Sequence, residues 1–89
     1  MLFKILYSPE FKKDYKKLPL AAREQLKLKG ALFEINPFHP RLRTHKLTGK
    51  LRELWAFLVD FRHRAIFEFL DNDEILLLRV GDHSIYRKK

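Results

Sequence analysis

Hydrophobic residues in this chain first alternate and then fall into helical spacing. In "MLFKILYS" the alternation places Phe3, Ile5 and Tyr7 on one side and predicts a first strand. Ser8 supplies a capping oxygen for the helix that follows, with Pro9 at its first position and Glu10 in its first turn. Within "SPEFKKDYKKL", Phe11, Tyr15 and Leu18 recur at i, i+4 and i+7 and form one apolar stripe, while the lysines between them face water. Pro19 ends that helix and opens a second, "LAAREQLKLKGALFEIN", on which Leu28, Ala31, Leu32 and Ile35 are expected to share a face. The connection is short, so the two helices form a hairpin.

From Asn36 the texture changes. "NPFHPRLRTHKLTGKLR" carries two prolines, a Thr-Gly pair and many cations, and reads as a loop between helices and sheet. Three β-like runs follow, "ELWAFLVDF", "HRAIFEFL" and "EILLLRV", and the acidic turn "DND" between the last two predicts an antiparallel hairpin. The predicted order is β-α-α-β-β-β. This is an α+β fold, expected as one compact domain over residues 1–89, with a helical hairpin on one face of a twisted, mainly antiparallel sheet.

Composition narrows the class. A length of 89 residues leaves room for one domain, and a hydrophobic content of 46% argues against disorder. There is no cysteine, so disulfide and thiol chemistry are excluded. No apolar run approaches the ~18 residues of a membrane span, and the N-terminus lacks the longer apolar region of a signal peptide. A cytoplasmic protein without membrane contact, monomeric on its own, is expected. The net charge of +8 points to a polyanionic partner, with nucleic acid the first candidate.

That charge is segregated. Residues 41–52, "RLRTHKLTGKLR", hold Arg41, Arg43, Lys46, Lys50 and Arg52 and no acid, while Asp71, Asp73 and Glu74 gather in the later turn. In "FRHRAIFEF", period two puts Arg62, Arg64, Ile66 and Glu68 on one face; Phe61, His63, Ala65, Phe67 and Phe69 take the other, expected against the helices. Adjacent arginines on a largely apolar hairpin need an anion or a carboxylate such as Glu53, Asp60 or Glu68, and Arg79 is expected near them across the sheet.

The four histidines, His39, His45, His63 and His83, show no HxH or HxxxH spacing, so neither a metal nor a cofactor is predicted. Ser8 and Ser84 lack a nucleophile motif, and the three glycines form no phosphate loop. Cations with histidine and tyrosine suit metal-free RNA cleavage, in which the substrate's own 2′-hydroxyl attacks the adjacent phosphate. That reaction needs a base near the hydroxyl, cations for the developing charge and an acid for the leaving 5′-oxygen. Histidine serves as base or acid, and tyrosine stacks on a nucleobase or holds a phosphate.

"HKLTGKLRELWAFLVDFRHRAIFEF" followed by "EILLLRVGDHSIYR" resembles the RelE/ParE superfamily of type II toxins over essentially the whole chain. Its "H-K-L-x-G" loop, "F-R-x-R" strand and closing "G-x-H-x-x-Y-R" together carry the resemblance. It implies the same β-α-α-β-β-β fold and, on the RelE-like branch, an endoribonuclease that cuts mRNA on the ribosome and is neutralised by a cognate antitoxin, expected to be acidic and partly disordered. The ParE-like branch instead implies inhibition of DNA gyrase without nuclease activity. Matched residue by residue, Arg64 falls at the scissile phosphate, His83 at the general acid and Tyr86 at the aromatic that orients mRNA. His45 and Lys46 fall in the loop that supplies a base or phosphate-binding cation, with Glu53 a third candidate base. Arg62, Arg41, Arg43, Lys50, Arg52, Arg79 and Arg87 complete the expected RNA-binding set. Tyr86 comes three residues after His83, where several relatives show four. Plainer roles exist for the same residues: a surface His83, a packing Tyr86, a His45 bonded to its own loop, a satisfied His63 and a core Trp55.

Overall fold

The computed structural model describes residues 2–86. Strand β1 spans Lys4–Tyr7, helix α1 Pro9–Lys17, helix α2 Leu20–Ile35, strand β2 His45–Lys46, strand β3 Trp55–Leu58, strand β4 Arg64–Phe69 and strand β5 Glu74–Gly81, with a closing 3-10 turn at His83–Tyr86. The predicted order therefore stands, with one two-residue strand added inside the segment expected to be loop.

Local chemistry sets the start of α1. Ser8 has extended backbone angles, its Oγ accepts from the Phe11 amide at 2.9 Å, and Pro9 occupies the first turn. The same hydroxyl donates to the Leu78 carbonyl at 2.8 Å, fastening the helix start to the sheet. Phe11 and Leu18 are buried and Tyr15 packs beside them, as the stripe predicts. On α2 the packed face differs from the expected one. Ala22, Leu26 and Phe33 are buried, whereas Leu28 and Ile35 are 62% and 64% exposed. Lys29 shares the packed side because its long stem reaches across to give its ammonium to the Val59 carbonyl at 2.9 Å.

The five strands form one sheet in the order β1-β5-β4-β3-β2, with β1 parallel to β5 and the other pairs antiparallel. Residues 71–74 make the β4–β5 turn. Asn72 and Asp73 both take left-handed angles (φ 61° and 58°), the geometry that matches the natural twist of a tight hairpin. A register shift after Ile66 leaves Leu78 as an extra residue in β5, since Ile66 pairs with Arg79 and Phe67 with Leu77. Leu77 and Val80, three apart, are consequently both buried against Phe57, Ala65 and Phe67.

Tyr7 is half exposed, its ring leaning on Phe11 at 5.5 Å. One expectation fails at the sheet margin. Phe61 is 94% exposed, because residues 60–63 form a turn and β4 begins only at Arg64.

Arg79 is also not a free cation beside Arg64. Its Nε donates to Asp14 Oδ2 at 2.6 Å and its Nη2 to Asp14 Oδ1 at 3.2 Å; the Val80 amide donates to the same carboxylate at 3.0 Å. Helix α1 is thereby clasped to β5 through side chains 65 residues apart in sequence. Replacing Asp14 with alanine strands that amide and guanidinium, and is expected to lower the unfolding free energy by about 1–3 kcal/mol in a urea titration. An unchanged midpoint would show the clasp to be dispensable.

Candidate active site

Strand register brings the two ends of the site together. Arg64 at the start of β4 pairs with Gly81 at the end of β5, so whatever follows Gly81 lies beside the arginine. A Cβ on Gly81 would sit 2.8 Å from Ile85 Cγ2, and Ile85 is buried. Glycine is what lets the chain fold back here. Asp82 then caps the 3-10 turn, accepting from the Ser84 amide at 2.9 Å, and these bonds from Ser84 hold its carboxyl below the ordinary carboxylate value. A 3-10 turn has three residues per turn, so side chains three apart lie one above the other. His83 and Tyr86 accordingly share a side, with ring centroids 6.1 Å apart. The spacing of three is the spacing this turn requires.

Arg64 is anchored from behind. Its Nη1 donates to the carbonyls of Asp60 (3.0 Å), His63 (3.1 Å) and Phe61 (3.4 Å). That turn is in turn held by Asp60, whose Oδ1 accepts from the Arg62 amide, the His63 amide and His63 Nδ1 at 2.8–2.9 Å. Burial raises the Asp60 carboxyl's pKa, but those bonds outweigh it and hold the group below its usual value. His63 is thus a satisfied structural histidine.

The third wall comes from the basic loop. Strand β2 pairs His45 with Ala56, and strand alternation separates His45 from Lys46. His45 lines an open cleft of about 610 Å³ with Leu47, Thr48, Lys50, Leu51, Arg64, His83 and Tyr86. Lys46 is not among them: its ammonium lies 5.8 Å from the Trp55 ring centroid, a cation–π contact. Burial pushes the Tyr86 phenol pKa up, only partly offset by the Arg64 guanidinium, so its hydroxyl keeps its proton at neutral pH.

A family model described as "ParE toxin of type II toxin-antitoxin system, parDE" matches residues 5–86. The chain belongs to this family, within the RelE/ParE superfamily. It is similar in structure to the conserved protein HP0894 of Helicobacter pylori, at 29% identity and a TM-score of 0.67, covering 94% of this chain and 97% of the other. It also resembles the toxin in the DinJ–YafQ toxin–antitoxin complex of E. coli, with 22% identity, a TM-score of 0.73 and coverage of 99% and 100%. The archaeal RelE–RelB complex of Pyrococcus horikoshii gives 20% identity and a TM-score of 0.73 over 92% and 96%. A comparison with curated proteins finds no match. The fold expected from the sequence is the fold of these toxins.

Of the residues singled out in the toxin's sequence, His45, Lys50, Arg64, His83 and Tyr86 meet in the one cleft. Arg41, Arg43 and Arg52 are exposed on the loop around it and form no ion pair among the described residues. Arg62 sits in the 60–63 turn and not on the arginine face of β4, and Glu53 is exposed outside the cleft. Arg87 lies outside the described residues. Thr48 and the leucines at 47 and 51 escaped notice in sequence because nothing in a Thr-Gly turn marks it as a wall. Among the described residues no cluster of three or more His, Asp or Glu could hold a metal ion, and no helix is long and apolar enough to cross a membrane.

Gly81→Ala tests how the cleft is built. The added methyl collides with the buried, β-branched side chain of Ile85 and is expected to destabilise the protein by about 1–3 kcal/mol. It should also displace His83 and Tyr86, reducing activity more than that stability loss explains. Wild-type activity with an unchanged melting curve would contradict this account of the turn.

Proposed function

We propose that this toxin is a metal-independent endoribonuclease that cuts mRNA on the ribosome. The observation that carries the reading is the convergence of His45, Arg64, His83, Tyr86 and Lys50 on one cleft from four separate segments. His45 Nδ1 lies 3.2 Å from the Arg43 carbonyl. When it donates there, Nε2 is left bare to take the proton of the substrate's 2′-hydroxyl. Arg64 and Lys50 stabilise the charge that builds on the phosphate as the 2′-oxygen bonds to phosphorus. His83 protonates the departing 5′-oxygen, leaving a 2′,3′-cyclic phosphate and a 5′-hydroxyl. Tyr86 supplies a ring for stacking and a protonated hydroxyl for a phosphate oxygen. Lys46 on Trp55 and Glu53 outside the cleft support the assignment of the base to His45. The exposed cations Arg41, Arg43 and Arg52 add salt-dependent attraction to ribosomal RNA.

The partner is a cognate antitoxin, as RelB is for RelE and DinJ for YafQ in the similar complexes. A second, apolar groove opens between α1 and α2 over β1 and β5, walled by Ile5, Phe11, Tyr15, Leu26, Ala31 and Phe33 and rimmed by Lys12, Lys16 and Lys27. It suits an amphipathic segment with acidic flanks that folds as it binds.

The family model's description with ParE favours a second reading, a gyrase inhibitor without nuclease chemistry. Primer extension on translated mRNA after induction, run beside a supercoiling assay with purified gyrase, separates them. Discrete cleavage with unaffected gyrase supports the nuclease, and the reverse pattern removes it.

A further inference from the structure

Phe61 is a large aromatic ring left 94% exposed on a turn that is otherwise tightly held. Single exposed apolar residues are ordinary on protein surfaces; what sets this one apart is its place on a held turn beside the cleft. Here the backbone on both sides is fixed. Asp60 Oδ1 takes the Arg62 and His63 amides, the Val59 amide donates to the His63 carbonyl at 3.0 Å, and Arg64 Nη1 reaches the Phe61 carbonyl itself. The guanidinium that lines the cleft therefore also reaches the backbone of the residue bearing the ring, which places Phe61 beside the cleft. Arg62 follows directly, exposed and without a carboxylate partner among the described residues. The apolar groove between the helices does not include Phe61, so the ring is not part of that surface.

We propose that Phe61 is a base-stacking residue that extends the RNA site beyond the cleft, with Arg62 beside it for the next phosphate. This rests on the ribonuclease reading and adds a contact to it. A flat ring exposed on a turn of fixed backbone, with the exposed Arg62 next to it, offers what an unstacked nucleobase and its backbone require, since every base offers a π-face and every linkage a charge. An acidic protein segment would use the cations but gains little from a single planar ring left 94% exposed.

The test uses ribosomes programmed with a short synthetic mRNA and steady-state cleavage by the purified toxin. Phe61→Ala is expected to raise KM by about tenfold with kcat little changed, the loss typical of one stacked base. Phe61→Trp should restore KM, whereas Phe61→Leu, equally apolar but not planar, should behave like the alanine variant. The melting temperature should not move in any of the three, because the ring packs on nothing. Wild-type KM in Phe61→Ala, or full rescue by leucine, overturns the stacking role while leaving the nuclease intact. Unchanged kinetics with weakened neutralisation by the co-expressed antitoxin would assign the ring to protein contact and overturn it equally. Absence of cleavage by the wild type removes the ribonuclease reading, and this inference with it.

Discussion

Replacing His83 with alanine is expected to reduce mRNA cleavage by about 10²–10⁴-fold, the usual contribution of a positioned general acid, and to abolish toxicity. The side chain is exposed on the closing turn, with its ring near that of Tyr86, so the fold should survive and the melting curve should match the wild type. That separation matters, because loss of activity through unfolding would say nothing about chemistry. Primer extension with analysis of product ends is the measurement. Full cleavage by His83→Ala would remove His83 from the mechanism. Asp82, one residue earlier, is not expected to share this sensitivity, since its carboxylate is occupied in capping the turn through Ser84.

How much of this was legible in sequence varies with the range of the interaction that decides each element. Helix α1 could be read to the residue because its cap, its proline and its stripe lie within one short segment. Helix α2 has apolar residues on more than one side, and the choice of Ala22, Leu26 and Phe33 over Leu28 and Ile35 is made by the sheet beneath it. The alternation of "FRHRAIFEF" runs through its first three residues, yet Asp60 folds them into a turn by a hydrogen-bond cluster that periodicity does not register. That one misreading misplaced both Phe61 and Arg62. Strand β2 is too short to show a period at all. Arg79 is claimed by Asp14 across 65 residues, a pairing invisible to any local pattern. The site residues were recognisable by type and by family resemblance, but their convergence depends on the Arg64–Gly81 register and on the fold-back that Gly81 permits.

Arg64 should be as sensitive as His83, for a different reason. Its Nη1 is committed to three turn carbonyls, and no other hydrogen bond from its guanidinium occurs among the described residues. One edge is therefore structural, which leaves the rest of the guanidinium of this cleft-lining residue for the phosphate of the proposed mechanism. Such preorganised donors act where charge develops in the transition state, and removing one typically lowers kcat by about 10²–10³-fold. Arg64→Ala is expected to show that loss together with a stability decrease of about 1 kcal/mol from the unpaired carbonyls. Arg64→Lys keeps the charge but cannot hold the turn and a phosphate at once, so it should recover only a small part of the rate. Arg64 does not line the groove between α1 and α2 proposed for the antitoxin, so both variants should still bind the antitoxin with wild-type affinity in a titration. A gyrase inhibitor would behave differently, keeping its effect on supercoiling when Arg64 or His83 is replaced. Cleavage by Arg64→Ala within a few-fold of wild type would mean that the phosphate is held elsewhere, with Lys50 the remaining cation of the cleft to examine.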